Sequence, residues 1–430
     1  MTLSEQQIAA LQALLDFVER GEKLYLLTGY AGTGKTTLLQ ALITALRDRQ
    51  DKRPIVFTAL SNKATKVLAS MAQRWHLEVD CMTCCKLLGL QPTIDKDTGN
   101  QKFVPDRSRD SLISRYALVV VDECSMINQE MWELLVKSVS RLDAETQILF
   151  VGDSAQLPPV NETESPCFAE IYDRTDLTEV VRYGSAVGLL ADDVRRNLTR
   201  PVMPRLESDR TPDNTEGIFA VASDTWDKLL LRAFTSETYK RNPDQVRVLA
   251  YTNERVQALN QRIRAAIYGT NIPRFVAGER LLANTPCLEE DGIILQTSEE
   301  CEVLEIYRAK VQDPVLNERW RTWSLEIETE EGKSRRLRVL HEDESDRFQM
   351  ILKGHAASKS WKSFWELKQF FHEMRYAYSL TVHKSQGSTF QDVFVDLPNL
   401  MSNSKVVERN QLCYVAFTRT AKRLFIRQYH

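Results

Sequence analysis

The stretch Gly29-Tyr30-Ala31-Gly32-Thr33-Gly34-Lys35-Thr36-Thr37 contains a glycine, four residues and then Gly-Lys-Thr, which is the pattern of a phosphate-binding loop. An apolar run from Leu24 to Leu27 precedes it and predicts a buried strand, and leucines at helical spacing follow it from Leu38 to Leu46. The glycines let backbone N–H groups turn toward a phosphate, and the N-terminus of the helix adds partial positive charge. The stretch therefore predicts a nucleoside triphosphate site between a strand and a helix.

The residues of this loop have different roles in such a site. Lys35 would reach the β- and γ-phosphates of ATP, and the Thr36 hydroxyl would bind Mg²⁺. The predicted cofactor-binding residues of the loop are Gly29, Ala31, Gly32, Thr33, Gly34, Lys35, Thr36 and Thr37. A glycine turn before an ordinary helix is the alternative, and the full spacing with both flanking elements disfavours it.

Gln7 has two interpretations. Ser4 and Gln7 have the spacing of a capping box at the start of a helix. The Gln7 amide could instead bind adenine, since an amide can both donate to and accept from a purine edge. Both readings stay open at this point, and Gln7 joins the candidate cofactor-binding residues.

Two adjacent carboxylates, Asp122 and Glu123, close the apolar run from Ala117 to Val121. Carboxylates in that position are costly unless they meet a cation. With a phosphate loop upstream, Asp122 is predicted to hold Mg²⁺ through water, and Glu123 to orient the attacking water as a base. Gln156 follows the next apolar strand and could hydrogen-bond the γ-phosphate and report its loss.

Several cationic and polar residues have open alternatives. Arg182 could reach a γ-phosphate across a cleft or pair with an acid, and Arg419 is a second candidate for such an arginine finger. Asn62 and Lys63 lie at the carboxyl end of a predicted strand, where open parallel sheets bind ligands. They could contact nucleic-acid phosphates or be solvated residues of a helix.

Composition limits the class of protein. The chain has 430 residues, which is enough for two or three domains with real cores. Its net charge of −3 provides no global basic field, so any nucleic-acid site must be a local groove. Apolar runs are too short for a membrane span and the N-terminus lacks the pattern of a signal peptide, so no membrane association is expected. The eight scattered cysteines indicate reduced thiols in a cytosolic protein.

The order of strands and helices predicts how the chain is divided. Strand–helix units through the first part indicate a parallel sheet with ligand sites along one edge. Residues 81–116 break this rhythm, and Asp97-Thr98-Gly99-Asn100 predicts a hairpin with Phe103 on its return arm. Phe103 could be a base-wedging aromatic or a minor core residue. A second α/β unit opens at Val246, and period-two alternation between about 275 and 375 predicts a small antiparallel barrel.

The spaced blocks together resemble superfamily 1 helicases, specifically the Dda/RecD-like group that moves 5′ to 3′. The blocks match nearly the whole chain, in the right order. UvrD/Rep-like helicases, which move 3′ to 5′, usually have different sequences at three of these blocks, those that begin at Asp122, Gly152 and Thr381. The opening Leu3-Ser4-Glu5-Gln6-Gln7 resembles the family's adenine-recognising block, which favours Gln7 as a base contact. The other blocks are Asp122-Glu123-Cys124-Ser125-Met126, the stretch from Gly152 to Val160 with its Gln-Leu-Pro-Pro, Thr381-Val382-His383-Lys384-Ser385-Gln386-Gly387, and Tyr414 to Arg419.

This resemblance implies an α/β fold with two RecA-like P-loop NTPase domains that hold ATP and Mg²⁺ between parallel sheets. It implies a first domain of 1–80 and 117–180, a strand-splitting pin hairpin in 81–116, a second domain of 181–274 and 376–430, and an SH3-like β-barrel in 275–375. The implied catalytic residues are Lys35, Asp122, Glu123, Gln156, Arg182 and Arg419, with Thr36 and Asp122 at the metal. The implied DNA contacts are Asn62, Lys63, Phe103, Thr381, His383 and Lys384.

The activity implied by the resemblance is that of an ATP-dependent 5′-to-3′ DNA helicase. Such a protein hydrolyses ATP in response to single-stranded DNA, moves along the strand and splits duplex or fork DNA. An ATP-gated DNA-binding translocase or switch without strand separation is the alternative. We expect a monomer in the cytoplasm, at the nucleoid or in phage-infected cells, with a single-strand-binding or replication protein as a candidate partner.

Overall fold

The structure is a computed structural model that describes residues 3–94, 101–105, 110–140, 145–159, 161–179, 185–289 and 292–428. The chain divides into two compact units. One unit consists of Met1–Gln91, Pro105–Val256 and Leu380–His430, and the other of Pro92–Val104 and Gln257–Ser379. The first unit holds both α/β domains, and the second holds the strands of the hairpin and of the barrel region. No helix within the described ranges is long and apolar enough to cross a bilayer.

The first α/β domain is a parallel sheet with helices on both faces. Its sheet has the order β3-β2-β6-β7-β1-β8, and every neighbouring pair is parallel, which confirms the predicted fold class for this domain. Strand β3 extends the sheet into the range predicted for the hairpin insertion. The elements up to this point are α1 (Glu5–Arg20), β1 (Leu24–Gly29), α2 (Lys35–Asp48), β2 (Ile55–Ala59), α3 (Asn62–Arg74), β3 (Asp80–Thr83), α4 (Cys84–Leu87), β4 (Leu90–Ile94), β5 (Gln101–Pro105), β6 (Leu118–Val121), α5 (Gln129–Val139), β7 (Gln147–Gly152), α6 (Pro166–Glu170) and β8 (Arg174–Leu177).

Two apolar cores hold this sheet, one on each face. Successive side chains of a strand point to opposite faces, so Leu27 packs with α1 and α2 while its neighbour Leu26 packs with α5. All four side chains of β6 are buried, as expected for a parallel strand covered by helices on both sides. Because the strands are parallel, the carboxyl ends of β1, β2, β6 and β7 meet at one edge of the sheet.

The second α/β domain has a mixed sheet of order β19-β11-β20-β21-β10-β9. Strand β20 pairs in parallel with β11 and β21, and β21 pairs in parallel with β10. Strand β9 lies at the edge and pairs antiparallel with β10. Its elements, with those of the intervening region, are α7 (Ala186–Arg196), β9 (Asp209–Arg210), β10 (Gly217–Ala222), α8 (Ser223–Phe234), α9 (Glu237–Arg241), β11 (Val246–Ala250), α10 (Asn253–Tyr268), β12 (Arg280–Ala283), β13 (Cys287–Glu289), β14 (Gly292–Leu295), β15 (Glu300–Gln312), β16 (Arg319–Thr329), β17 (Ser334–Leu340), α11 (Ser345–Ala357), α12 (Trp361–Phe370), β18 (Met374–Tyr376), β19 (Ser379–Thr381), β20 (Phe390–Asp396), α13 (Leu397–Leu400), α14 (Val406–Thr418) and β21 (Thr420–Gln428).

The second unit contains the antiparallel structure that the sequence predicted. Strands β4 and β5 pair as the arms of the hairpin, and the predicted turn from Asp97 to Asn100 lies outside the described residues. Five strands form a sheet of order β17-β16-β15-β12-β18, and a separate ribbon pairs β13 with β14. Helices α11 and α12 pack around the buried Trp320 in a core of their own. The SH3-like closure of the barrel stays a prediction.

Candidate functional site

The loop between β1 and α2 has the backbone that its glycines allow. Gly34 has φ +83°, a left-handed conformation that side chains rarely adopt, and a Cβ there would overlap Gln7 Nε2. A Cβ on Gly29 would lie 2.6 Å from Thr33 Oγ1 and 2.9 Å from Leu177 Cβ. Glycine is therefore required at both ends of the loop.

Lys35 opens α2 and turns back over the loop. Its Nζ donates to the carbonyl oxygens of Gly29 at 2.5 Å and Tyr30 at 3.2 Å. The next residue, Thr36, is exposed on the first turn of the helix. A cation and a free hydroxyl thus lie at the helix N-terminus, where an anion is favoured.

Gln7 combines the capping role with a contact to the phosphate loop. Its Oε1 accepts a hydrogen bond from Ser4 N at 3.0 Å and Ser4 Oγ accepts from Gln7 N at 3.3 Å, so the capping box is present. Its Nε2 donates to Thr33 O at 3.0 Å, and only 3% of the residue is exposed. The same side chain therefore caps the N-terminus of helix α1 and hydrogen-bonds the phosphate loop. Its contact with adenine stays a prediction.

Three carboxylates gather at the edge where β6 and β7 end. Burial, and then repulsion from Glu123, raise the pKa of Asp122 to about 7, and Lys35 acts in the opposite direction. Burial also raises the pKa of Asp153, which Lys35 again opposes. Glu123 has a left-handed backbone with φ 53° and ψ 42°, which costs on the order of 1–3 kcal/mol and is typical of functional sites.

The donor set fits Mg²⁺. Without a cation, the charged form of Asp122 is disfavoured by its surroundings, so a cation bound there would stabilise it. The exposed Thr36 hydroxyl would add a second oxygen ligand at the start of α2. Asp122 and Thr36 would hold the ion, which would neutralise charge on the β- and γ-phosphate oxygens.

Gln156 lies in the turn after β7 with its side chain buried. Its Oε1 has no hydrogen-bond partner among the described residues, which is costly for a buried acceptor. The backbone carbonyl of Gln156 accepts a hydrogen bond at 3.0 Å from Gln411 Nε2 of α14. The side chain is therefore available to a ligand while its backbone is fixed by the second domain.

Helix α14 also reaches the phosphate loop. Tyr414 Oη donates to Asp153 Oδ2 at 2.6 Å and accepts from Ala31 N at 2.9 Å. Sequence reasoning assigned no role to Tyr414 or to Asp153, although both lie in blocks that carried the resemblance. The signal that could have identified Gln411 is its spacing, since it precedes Tyr414 by three residues and shares its face of the helix.

Of the two arginines predicted to act as fingers, the structure describes only Arg419. Arg182 lies outside the described residues. Arg419 is buried, and its guanidinium donates to Val415 O at 3.3 Å and to Ser388 O at 3.2 Å, both in its own domain. Its role as a finger stays a prediction.

A third arginine, Arg195 of α7, lies at the phosphate loop and was missed by the sequence analysis. Its guanidinium carbon is 3.4 Å from the centroid of the Tyr30 ring, in a cation–π contact, and the side chain pairs with Asp192. The positive charge of Arg195 is therefore held beside Tyr30, the second residue of the phosphate loop.

The candidate nucleic-acid contacts of the α/β domains lie side by side. Lys63, at the start of α3, has its Nζ 5.0 Å from the centroid of the Phe390 ring. A Cβ on Gly387 would lie 3.1 Å from Ala64 Cβ, so the turn after β19 packs directly on the start of α3. The structure thus brings together the segment of Asn62 and Lys63 and the segment from Thr381 to Gly387.

The individual side chains of these segments have distinct surroundings. Thr381 Oγ1 accepts a hydrogen bond from Lys384 N at 3.3 Å, which shapes the turn. Burial lowers the pKa of His383, so its imidazole is neutral at pH 7. Phe103 lies on hairpin strand β5 and is 36% exposed, which favours a surface role over a core role.

Comparison with known proteins identifies related sequences along the whole chain. A family model described as an AAA domain matches residues 2–203, and one described as a UvrD-like helicase C-terminal domain matches residues 376–426. The chain is 25% identical over 455 residues to the ATP-dependent DNA helicase dda of Enterobacteria phage T4, and the match covers 97% of each. It is 30% identical over 156 residues to the ATP-dependent DNA helicase PIF1 of Emericella nidulans, covering 34% of this chain and 19% of that protein.

The fold has a solved counterpart in the Pif1 helicase from Bacteroides in complex with ADP-AlF3 and ssDNA. The two structures superpose with a TM-score of 0.53 at 15% sequence identity, over 99% of this chain and 92% of the other. The match to dda covers nearly all of both chains, and the two family models match the parts of the chain that form the two RecA-like domains. The chain belongs to the superfamily 1 DNA helicases, in the Dda/Pif1/RecD-like group.

Proposed function

We propose that this protein is an ATP-dependent DNA helicase that moves 5′ to 3′ along single-stranded DNA and separates duplex at a fork. The observation that carries the proposal is the contact of α14 with the first domain through Tyr414 and Gln411. A motor must transmit a change at the nucleotide to a second body, and this helix touches the phosphate loop and the turn after β7 at once. A monomer and a single-strand-binding or replication partner stay predictions.

ATP hydrolysis is assigned to the residues at the carboxyl edge of the first sheet. Lys35 and the loop N–H groups bind the phosphates, and the N–H donors of the Gln156 amide hydrogen-bond the γ-phosphate and report its loss. Glu123 takes a proton from the attacking water, the water oxygen bonds to the γ-phosphorus, and the bond from the γ-phosphorus to the bridging oxygen breaks, which leaves ADP and inorganic phosphate. Release of ADP and phosphate then weakens the contacts of α14 with the phosphate loop and with the turn after β7.

The grip on DNA is assigned to the adjacent segments at the start of α3 and after β19. Asn62, Lys63, Thr381 and Lys384 supply hydrogen-bond donors suited to a phosphate backbone, and the neutral His383 can donate or accept. With a net charge of −3, the affinity depends on this local groove. Binding should therefore weaken as salt concentration rises.

Strand separation on two matched duplexes tests the proposal. One duplex carries a 5′ single-stranded tail and the other a 3′ tail, and both are incubated with ATP and Mg²⁺. We expect separation only from the 5′ tail. Separation only from the 3′ tail would contradict the proposed polarity, and no separation with strong DNA-stimulated ATPase would favour a translocase or switch without unwinding.

Phe103→Ala should uncouple unwinding from hydrolysis if the hairpin is the pin. Stacking of a base on an aromatic ring is worth about 1–3 kcal/mol, so we expect unwinding to fall by about tenfold or more. ATPase stimulated by single-stranded DNA should stay within about twofold of wild type, because Phe103 lies on hairpin strand β5 and is not among the residues assigned to phosphate chemistry.

Tyr172→Ala is the matched control, because Tyr172 is also an exposed aromatic residue, 86% accessible, and is not part of the hairpin. Unwinding that is equally sensitive to both substitutions would argue against a specific role for Phe103. Unwinding that is insensitive to both would remove the hairpin aromatic from the mechanism of strand separation.

A further inference from the structure

One hydroxyl group connects two elements of the first domain to the second domain. Tyr414 is fully buried on α14, and its Oη lies 2.6 Å from Asp153 Oδ2 and 2.9 Å from Ala31 N. Asp153 follows the end of β7, and Ala31 is the third residue of the phosphate loop. The hydroxyl donates to the carboxylate and accepts from the loop, so it uses both of its hydrogen-bonding functions.

The bond to Asp153 belongs to the stronger class of hydrogen bonds. Its acceptor is a carboxylate in a fully buried site, and such charge-assisted bonds are shorter and roughly twice as strong as neutral ones. Asp153 Oδ1 accepts from Ala155 N at 3.0 Å, so both carboxylate oxygens are used. Burial raises the pKa of Asp153, and the neighbouring Lys35 and the Tyr414 hydroxyl oppose that rise.

A second contact one turn earlier on α14 acts on the same part of the first domain. Gln411 Nε2 donates to the backbone carbonyl of Gln156 at 3.0 Å, and the backbone N–H of Gln156 donates to Asp153 O at 3.1 Å. The turn from Asp153 to Gln156 is therefore attached to one face of α14 at two points. The C-terminal end of the same helix leads directly to Arg419.

The hydroxyl is not required to fill space. Phe417 lies three residues further along the same helix and is also fully buried, so α14 already buries one phenyl ring that carries no hydroxyl. What the phenol adds to a phenyl ring is the link between Asp153 and Ala31. Burying a hydroxyl is costly unless it is hydrogen-bonded, and here both functions are satisfied by groups of the first domain.

We propose that Tyr414 is a positioning residue for ATP hydrolysis, whose hydroxyl fixes the phosphate loop against Asp153 and transmits movement of the loop to α14. The inference rests on the proposed function, since it concerns the same ATP site. A bound phosphate that shifts the backbone N–H of Ala31 would also move the Tyr414 hydroxyl that accepts from it. Helix α14, which ends at Arg419, would move with Tyr414. Gln411 keeps the Gln156 turn in register with the helix during this movement.

Tyr414→Phe tests the inference because it deletes only the hydroxyl. We expect kcat for ATP hydrolysis to fall by about tenfold, as for loss of one hydrogen bond to a charged group, with KM for ATP changing less than about threefold. Steady-state kinetics with and without single-stranded DNA give both values, and thermal unfolding confirms that the variant is folded. Partial unfolding would also lower the apparent kcat without changing KM, so kcat is calculated per folded molecule from the unfolding curve, and a lower kcat of the folded variant is the expected result.

Tyr116→Phe is the matched control, because Tyr116 Oη also donates to a carboxylate, Asp80 Oδ2, at 2.7 Å in the first domain. It should leave kcat within about twofold of wild type. Asp153→Asn weakens the Tyr414 bond from the acceptor side and is the second test variant. Combined with Tyr414→Phe, it should lower kcat by no more than about twofold beyond the stronger single substitution, since both act on one bond.

The inference is overturned if Tyr414→Phe keeps kcat within about twofold of wild type, or if the two substitutions are additive. These outcomes differ from failure of the proposed function. A wild-type protein whose ATPase does not respond to DNA would contradict the helicase proposal, and the basal kcat of Tyr414→Phe relative to wild type would then decide the inference alone.

Discussion

Lys35→Ala is expected to abolish DNA-stimulated ATP hydrolysis, with a loss on the order of 10²-fold or more. Lys35 Nζ lies over the phosphate loop, where it donates to Gly29 O and Tyr30 O. The cation also offsets the charges of Asp122 and Asp153, because it opposes the rise in the pKa of both carboxyls. Its removal takes away the charge that faces the phosphates and leaves three carboxylates that repel ATP. A coupled assay of ADP release with saturating single-stranded DNA measures the effect.

Lys137→Ala is the control for this experiment. Lys137 is exposed on α5 of the same domain, so its removal changes the net charge equally without touching the loop. We expect the control to hydrolyse ATP at the wild-type rate. Hydrolysis by Lys35→Ala that matches the control would remove the phosphate loop from the assigned ATP site.

Glu123→Gln is expected to lower kcat by about 10²- to 10⁴-fold while ATP still binds. The amide keeps the shape of the side chain but cannot take a proton from the attacking water. It also removes a negative charge that contributes to the raised pKa of Asp122, so binding of ATP with Mg²⁺ should persist or strengthen. Binding of a fluorescent ATP analogue and single-turnover hydrolysis separate the two effects.

Glu130→Gln is the matched control, since Glu130 is an exposed carboxylate on the first turn of α5. It should behave as wild type in both assays. If Glu123→Gln retained wild-type hydrolysis, another group would have to serve as the base, and Asp153 would be the next carboxylate to test. If it lost ATP binding as well, the role of Glu123 would be structural.

Local sequence determined the parts of the site that depend on backbone geometry. Glycine at positions 29 and 34 is required by close contacts and by a left-handed turn, so the loop could be predicted from spacing alone. The capping box of Ser4 and Gln7 and the Ser61 cap of α3 were predictable for the same reason, because their partners lie three residues apart. The parallel sheet followed from apolar strands that alternate with helices.

The tertiary structure alone decided which distant side chains complete the site. Tyr414 and Ala31 are 383 positions apart, and Gln411 and Gln156 are 255 apart, so no periodicity or spacing links them. Arg195 reaches the Tyr30 ring from α7 in the same way. Sequence fixes what a residue can do through its own chemistry and its near neighbours. Which groups meet is set by the packing of the two sheets and their helices, because long-range contacts depend on the whole fold.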